Sequence, residues 1–370
     1  MRFLFPAAET AGGKLQGIEA GRGLAAFLVV MYHAARHFKA DIGYLPWGGI
    51  FHFGHVGVDF FFVLSGFLIY FVHAGDLGRP QRLVRYLRRR TVRIYPVYWA
   101  ALLGALALVL LSRNQTVPEA WLLLQTMFLA QPLGTPLLGV AWTLQHEMLF
   151  YGVFALAILN VRLGQAVLCF WLCMILAQWA AGASWFQQDL YRIAMNPFNL
   201  EFFMGMGGAW LVRRKAALAG RPGLLLAVGG LLFAVLAVAE NAGLFESYGN
   251  PARVAYGLVS TALVVGLAGV DRVRGAPAVL MARLGGASYS IYLFHLMAIG
   301  VGYKAMEVAG LLRLLPVPLS YALVCTGAIA AGLLISRWIE FPLLRMLRSG
   351  APAPVPLPVP EESLPARASA

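Results

Sequence analysis

The sequence has little charge for its length. Only 12% of its 370 residues are Asp, Glu, Lys or Arg, about half of the share that a soluble domain carries. Hydrophobic residues make up 60% of the chain, and the mean hydropathy is +0.73. This shortage of charge argues against a soluble globular domain and favours a membrane protein that crosses the bilayer many times.

Cysteine is also scarce. The chain has three, Cys169, Cys173 and Cys325, and all lie inside apolar runs. Their positions exclude a disulfide framework and the spaced ligand pairs that are typical of zinc sites. We therefore interpret them as buried, inert thiols and expect no metal. Residues 1–14 lack a long apolar core before a cleavage site, so we expect a short cytoplasmic N-terminal segment and no signal peptide.

Acidic residues are few compared with basic ones. Sixteen Asp and Glu stand against 29 Lys and Arg, which gives a formal net charge of +13. Proteins that bind nucleic acid concentrate such charge on a soluble face. Here the cations fall in short loops between apolar runs, which is the pattern that orients membrane helices. We expect membrane lipids, and not nucleic acid, to surround this chain.

Long apolar segments fill most of the chain. They cover approximately residues 18–38, 54–74, 94–112, 119–131, 137–159, 164–181, 198–212, 223–239, 252–270, 286–304 and 317–341. Most are about long enough to cross a hydrocarbon core of roughly 30 Å. The segment 119–131 has only thirteen residues, which suits a re-entrant or interfacial piece better than a span.

Loop charge decides how many segments span. If the segment 119–131 does not span the membrane, the arginine-rich groups 79–90 and 213–215 both fall on the cytoplasmic side, as do both termini. If 119–131 spanned, residues 213–215 would move outside, against the positive-inside rule. The sequence therefore predicts an all-α polytopic protein of the inner (cytoplasmic) membrane, with about ten transmembrane helices plus one short re-entrant or interfacial segment. Residues 15–348 form its membrane domain, and the proline-rich residues 349–370 form a disordered cytoplasmic tail.

Two polar residues interrupt the first apolar segment. Arg22 and His33 are eleven residues apart, about three helical turns, so they share one face and differ in depth by about 16 Å. Ionisable side chains inside membrane helices are costly and are usually kept for function. Because histidine suits proton transfer near neutral pH, His33 is the first candidate for the reacting base.

The second apolar segment carries Asp59 near its outer end and Ser65 deeper in the membrane. The first two segments run antiparallel, and the distances from their outer ends place Asp59 at the depth of His33. A contact between the two would orient the imidazole ring. The alternative is that Asp59 faces the outer water layer or caps backbone amides.

Two later segments carry polar residues as well. Glu147 lies about mid-membrane, where it either takes part in the chemistry or bonds to a neighbouring helix as a structural group. Further along, Ser288, Tyr292 and His295 follow one another at helical spacing and share a face. His295 is either a group that meets the substrate or a core histidine bonded to Tyr292 or to a backbone carbonyl.

Arginines cluster at the cytoplasmic mouth of the third segment, at positions 88, 89, 90 and 93. Guanidinium groups bind phosphate through paired hydrogen bonds, so the cluster is typical of an anion site. The same cluster would also anchor the helix by the positive-inside rule. Arginine density alone does not decide between the two.

Five motifs occur in an order that resembles the acyltransferase-3 family of integral-membrane acyltransferases, which includes bacterial O-acetyltransferases of cell-envelope glycans. The resemblance runs from about Leu15 to Phe341. The motifs are Arg22-x10-His33, Gly57-Val58-Asp59-Phe60-Phe61-Phe62-Val63-Leu64-Ser65-Gly66-Phe67, Arg89-Arg90-x2-Arg93-Ile94-Tyr95-Pro96, Trp142-Thr143-Leu144-x2-Glu147-x2-Phe150-Tyr151 and Ser288-Tyr289-x2-Tyr292-Leu293-x-His295.

The resemblance implies transfer of an acyl group, expected to be acetyl, from acetyl-CoA to a hydroxyl of an envelope glycan, a lipid-linked sugar or another extracytoplasmic acceptor. The resemblance implies that His33 is the essential histidine with Arg22 as its helical partner, that Arg90 and Arg93 bind the donor, and that Glu147 belongs to the membrane core. Together with the positions described above, this gives three groups of expected site residues. The catalytic residues are His33, Glu147 and Asp59; the donor is bound by Arg22, Arg90 and Arg93; the substrate is met by Ser65, Tyr292 and His295. Some relatives add a C-terminal esterase-like domain, whereas this chain has its proline-rich segment there, so the resemblance is to the type without that domain.

A proton-coupled transporter is the rival interpretation. His33, Asp59, Glu147 and His295 would then form a proton relay across the membrane. Matching broken helices in two halves of the chain would support it, and the sequence contains no such matched pair. The sequence leaves open the acceptor, the acyl length, the oligomeric state and the choice between direct transfer and an acyl-histidine.

Overall fold

A computed structural model describes residues 16–112, 117–132, 137–182 and 188–348 of the chain. Within these ranges the protein is helical and contains no strand, which confirms the predicted all-α architecture. The predicted N-terminal segment 1–14 and tail 349–370 lie outside the described residues.

Fifteen α-helices occur in the described part of the chain. They are α1 Gln16–Ile42, α2 Gly57–His73, α3 Leu83–Leu111, α4 Ala120–Met127, α5 Ala141–Leu159, α6 Val161–Ala181, α7 Asp189–Ala194, α8 Phe198–Arg213, α9 Pro222–Asn241, α10 Asn250–Ala268, α11 Ala276–Gly286, α12 Ser288–Val308, α13 Leu311–Leu314, α14 Val317–Ile335 and α15 Phe341–Arg348. A wider π-helical turn, Ser336–Glu340, joins α14 to α15.

Six helical stretches among the described residues are long and apolar enough to cross a membrane, and α11 with α12, bent by 81° at their junction, makes a seventh if the pair is one span. Helices α1, α5 and α8 also belong to the predicted set of ten. Each carries buried or half-buried ionisable groups, such as Arg22, Glu147 and Glu201, and α8 has only 16 residues. The chain is thus a multi-pass membrane protein, and the count of ten stays a prediction.

The helix contacts define two ends of the bundle. Gly57 of α2 packs on Ala25 of α1, and Phe60 packs on Gly21, so these two helices run antiparallel. Helix α8 runs parallel to α2, and Arg213 at its end donates to the carbonyl of Phe71 at the end of α2 (3.0 Å). The arginines of α3 and residues 213–215 therefore lie at one end, which we call the arginine end; α1 finishes at the opposite, far end.

Helix α4 is short and ends beside the middle of α3. It has eight residues and rises only about 12 Å, less than half of a hydrocarbon core. Its last carbonyls would lack partners there, but side chains near the middle of α3 supply them: Tyr98 donates to Thr126 O (2.6 Å), and Trp99 Nε1 donates to Met127 O (2.9 Å). Gln145 Nε2 satisfies the carbonyl of Gln131 just beyond (2.7 Å). A helix end can be buried only with such partners.

Helices α2 and α8 pack backbone against backbone. A Cβ atom at Gly66 would lie 2.1 Å from the carbonyl oxygen of Phe202, and one at Gly205 would lie 1.9 Å from that of Val63. Only glycine allows this approach. The close contact fixes α2, and with it Ser65, relative to the rest of the bundle.

Gly205→Ala should destabilise the protein by about 1–3 kcal/mol, because the added methyl group forces α2 and α8 apart. Gly207→Ala on the same helix is the matched control, since a Cβ there meets nothing within 4 Å and alanine favours the helix. Thermal unfolding of both variants in detergent measures the difference. Equal unfolding midpoints for the two variants would contradict the close packing.

Candidate active site

A cavity of about 910 Å³ opens at the arginine end. Its walls come from α1, α2, α3, α5, the start of α12 and the segment after α14. The polar residues among its lining are Glu19, Arg22, Ser65, Arg90, Arg93, Thr143, Glu147, Tyr151, Ser288, Tyr289, Tyr292, Arg337 and Arg345. Six of the predicted site residues, Arg22, Ser65, Arg90, Arg93, Glu147 and Tyr292, thus share one cavity.

Two arginines of α3 lie at the mouth of the cavity and differ in their contacts. Arg93 pairs with the buried Glu340 (3.1 Å), which also accepts hydrogen bonds from Ser290 (2.7 Å) and Ser336. Arg90 lies over the rings of Tyr86 and Tyr151, and its buried Nε has no hydrogen-bond partner among the described residues. Arg93 is therefore held by the fold, whereas Arg90 keeps an unused donor beside the cavity.

Neutral donors hold Glu147 in the middle of the cavity. Ser65 Oγ donates to its Oε1 (2.7 Å), and so does the hydroxyl of Tyr151 one turn along α5. On the opposite wall Arg22 pairs with Glu19 (2.9 Å). Glu147 is thus bonded to α2 and to its own helix, and the contacts of His33 are made with other groups.

The deep end of the cavity is closed by polar and aromatic contacts. Tyr292 on α12 and Thr143 on α5 share a hydrogen bond of 2.9 Å, and the ring of Phe61 packs on Tyr292. One turn further along α12, the buried His295 bonds through Nδ1 to the carbonyl of Tyr292 (2.6 Å). His295 is thus tied to Tyr292, the contact expected of a core histidine, but its other nitrogen is also engaged.

That nitrogen, Nε2 of His295, lies 3.3 Å from Nδ1 of His33, which also lies 3.0 Å from the carbonyl of Val29. The hydrogen-bond partners assign the protons. In the neutral pair, His295 donates from Nδ1 to Tyr292, so its Nε2 accepts from Nδ1–H of His33. His33 then carries its lone pair on Nε2, the arrangement that a general base requires.

The predicted contact between His33 and Asp59 is wrong. Both oxygens of the buried Asp59 accept from Arg253 Nη1 at 2.6 Å. The predicted equal depth fails because the chain between α1 and α2 does not stay at the surface. Its 3₁₀ turn His52–Val56 lies beside α1, with the ring of His55 on that of Tyr32, so α2 begins next to Ala25, about two turns before His33.

A buried polar network at Arg253 is a feature that the hydropathy pattern did not predict. Arg253 lies in the first turn of α10, pairs with Asp59, and also donates to the carbonyl of Ser247 (2.7 Å). Next to it, Glu240 accepts from His55 (2.7 Å) and from Tyr256 (2.5 Å). Helix α10 begins at Asn250, before the apolar run that marked it in the sequence.

The described residues contain no group of three or more His, Cys, Asp or Glu side chains that would hold a metal ion. The chemistry visible in this part of the chain is that of arginines, hydroxyls, the two carboxylates Glu19 and Glu147 in the cavity, and a histidine pair beyond its deep end.

Comparison with known proteins bears directly on this arrangement. The acyltransferase domain of the acyltransferase-3 family matches residues 15–337. The exopolysaccharide production protein ExoZ of Rhizobium meliloti (strain 1021) is 33% identical over 317 residues, which cover 82% of this chain and 93% of ExoZ. The acyltransferase MdmB of Streptomyces mycarofaciens is 28% identical over 335 residues, which cover 80% of this chain and 82% of MdmB. No solved structure matches significantly.

The family match covers most of the chain and contains every residue of the cavity walls except those after position 337. It confirms the resemblance that the five motifs suggested. The chain therefore belongs to the acyltransferase-3 family and is an acyltransferase built into the membrane.

Proposed function

We propose that this enzyme moves an acyl group, acetyl in the simplest case, from acyl-CoA to a hydroxyl of an envelope glycan, a lipid-linked sugar or a similar acceptor. The observation that carries the proposal is the order of groups along the bundle. Arginines lie at the mouth of the cavity, Ser65 and Glu147 in its middle, Tyr292 at its deep end, and His295 and His33 just beyond. The similarity to ExoZ, whose name refers to exopolysaccharide production, favours a carbohydrate acceptor.

On this proposal the arginine end of the bundle faces the cytoplasm, and both chain termini lie on that side of the membrane. The donor enters the cavity from this end. Arg90, with Arg93 beside it, binds phosphate, because guanidinium groups form paired hydrogen bonds with it. A cavity of about 910 Å³ is at the upper end of ligand sites and accepts the thin pantetheine arm. Ser65 and Glu147 line the path of that arm, and Glu147 can accept its amide N–H groups. Arg22, held by Glu19, completes the donor site.

The acceptor arrives from the far end, and its hydroxyl meets Nε2 of His33. His33 takes the hydroxyl proton as the oxygen attacks the thioester carbonyl; the new C–O bond forms, the C–S bond breaks, and the proton passes to the departing CoA sulfur. Tyr292 and His295 orient the reacting groups, because His295 fixes the tautomer of His33. An acyl group carried briefly on His33 would use the same nitrogen.

The transporter hypothesis has less support. A relay needs Asp59 and Glu147 in contact with the histidine pair, whereas in the described residues Asp59 is bonded to Arg253, and Glu147 is bonded to Ser65 and Tyr151. Asp59 therefore acts, on our proposal, as a positioning residue that ties α2 to α10 through Arg253.

His33→Ala should lower turnover of labelled acetyl-CoA by about two to four orders of magnitude, the usual contribution of a positioned general base. His33→Gln should not restore it, because an amide takes up no proton near neutral pH. His295→Ala should lose less, since Val29 still accepts from Nδ1 of His33. The reacting group would be His295 if its variant lost activity while His33→Ala kept most of it.

Arg90→Ala should weaken acetyl-CoA binding about ten- to hundredfold, the value of one or two hydrogen bonds to a charged group, and leave the fold intact. Arg90→Lys should restore only part of the affinity because the paired geometry is lost. Titration calorimetry on purified protein measures the affinities, with Arg89→Ala as the control, since Arg89 is exposed and does not line the cavity. If Arg90→Ala bound acetyl-CoA with unchanged affinity, the arginine cluster would serve only as a membrane anchor.

Asp59→Ala should destabilise the fold by about 3–5 kcal/mol, because it leaves the buried Arg253 without its partner. Replacing both residues, with Asp59→Ala and Arg253→Leu, should recover much of the loss. Thermal unfolding in detergent measures both. If Asp59→Ala instead kept its stability and lost turnover a hundredfold or more, Asp59 would act in the chemistry itself.

A further inference from the structure

The segment after α14 forms one wall of the cavity mouth. Its π-helical turn Ser336–Glu340 ends in a hydrogen bond from the N–H of Phe341 to the carbonyl of Ser336. Pro342 follows, and its ring nitrogen has no N–H to continue the helical ladder. The helix therefore widens at the turn where its backbone hydrogen-bond pattern changes. Such π-helical turns occur often at functional sites.

The wide turn points two charged residues in different directions. Glu340 is turned inward, is buried, and binds Arg93, Ser290 and Ser336. Arg337 is half-buried and lines the cavity with its guanidinium group over the ring of Trp338. Two turns later the exposed Arg345 lines the rim of the same cavity.

The charges in the cavity are unbalanced. Arg22 is paired with Glu19, and Arg93 is paired with Glu340. Arg90, Arg337 and Arg345 make no ion pair with any carboxylate of the described residues. Three cations from two separate walls thus face one space. Such an arrangement focuses a positive potential in the mouth and favours a ligand with several negative charges.

We propose that Arg337 and Arg345 form a second phosphate site, on a different wall from Arg90, for the nucleotide end of the donor. The proposal rests on the proposed function and adds to it. Arg90 reaches the phosphates from the wall formed by α3, whereas Arg337 and Arg345 reach them from the wall formed by the segment after α14. The protein would then recognise its donor as a nucleotide thioester, and a thioester that lacks the nucleotide would lose these contacts.

A lipid headgroup offers the same phosphate chemistry from the surrounding membrane. Arg337 favours the donor, because it is half-buried and lines the cavity that leads to Glu147 and Tyr292. The two sources differ in a testable way. A donor phosphate contributes to the KM of acetyl-CoA alone, whereas a lipid phosphate affects every donor equally through the stability of the protein.

The test uses the full chain in nanodiscs of zwitterionic lipid, with acetyl-CoA and S-acetylpantetheine as the two donors. Both donors carry the same thioester, and only acetyl-CoA carries the nucleotide phosphates. The variants are Arg337→Ala, Arg345→Ala and the double change. Arg272→Ala is the matched control, because Arg272 is exposed at the arginine end and does not line the cavity.

The double variant should raise the KM of acetyl-CoA about ten- to hundredfold, from the loss of two charge-assisted contacts. Its kcat and KM with S-acetylpantetheine should stay within about twofold of the wild type. Turnover of S-acetylpantetheine also reports that the double variant is folded.

Three results would overturn the phosphate site. One is an equal loss with both donors, which indicates a structural or lipid-binding role; another is no change with either donor. The third is the same effect in Arg272→Ala, which indicates surface charge in general. A wild-type protein that neither binds nor uses acetyl-CoA would overturn the proposed function itself, and this result is read before any variant is compared.

Discussion

Polar side chains between membrane helices must find their partners on other parts of the protein, because lipid offers none. Four such contacts organise this bundle. Ser65 joins α2 to Glu147 of α5, Arg93 joins α3 to Glu340, Asp59 joins α2 to Arg253 of α10, and His33 joins α1 to His295 of α12. The same contacts that satisfy these groups also position the walls of the cavity and His33, the general base that we propose.

This constraint also explains the least regular part of the fold. Helix α4 ends beside α3, and the carbonyls at its end and just beyond it accept hydrogen bonds from Tyr98, Trp99 and Gln145. Tyr98 and Trp99 follow the arginine motif on α3, and Gln145 precedes Glu147 on α5 by two residues. Residues in two of the family motifs, or beside them, therefore support the backbone around the cavity as well as its chemistry.

The sequence predicted many of the residues that lie together in the site, but not all of the side-chain contacts between them. The helical period correctly grouped Ser288, Tyr292 and His295 on one face, and the intramembrane position of Glu147 marked a cavity residue. The expected partner of Asp59 was wrong, because the connection before α2 packs beside α1 and shifts the register between them. Side-chain pairing across helices depends on such shifts and on rotation about each axis, and a hydropathy pattern records neither.

The hydrogen bond between Tyr292 and Thr143 joins α12 to α5 at the deep end of the cavity, and His33 and His295 lie outside the lining. Among the described residues, the lining of the cavity thus stops at the level of Tyr292 and Thr143. A cell membrane stores energy as an ion gradient, and a protein with a continuous aqueous path would dissipate that gradient. On the function proposed above, only a group as small as an acyl chain needs to pass Tyr292 and Thr143, so the reaction requires no wide aqueous path and the bilayer can keep its electrical resistance.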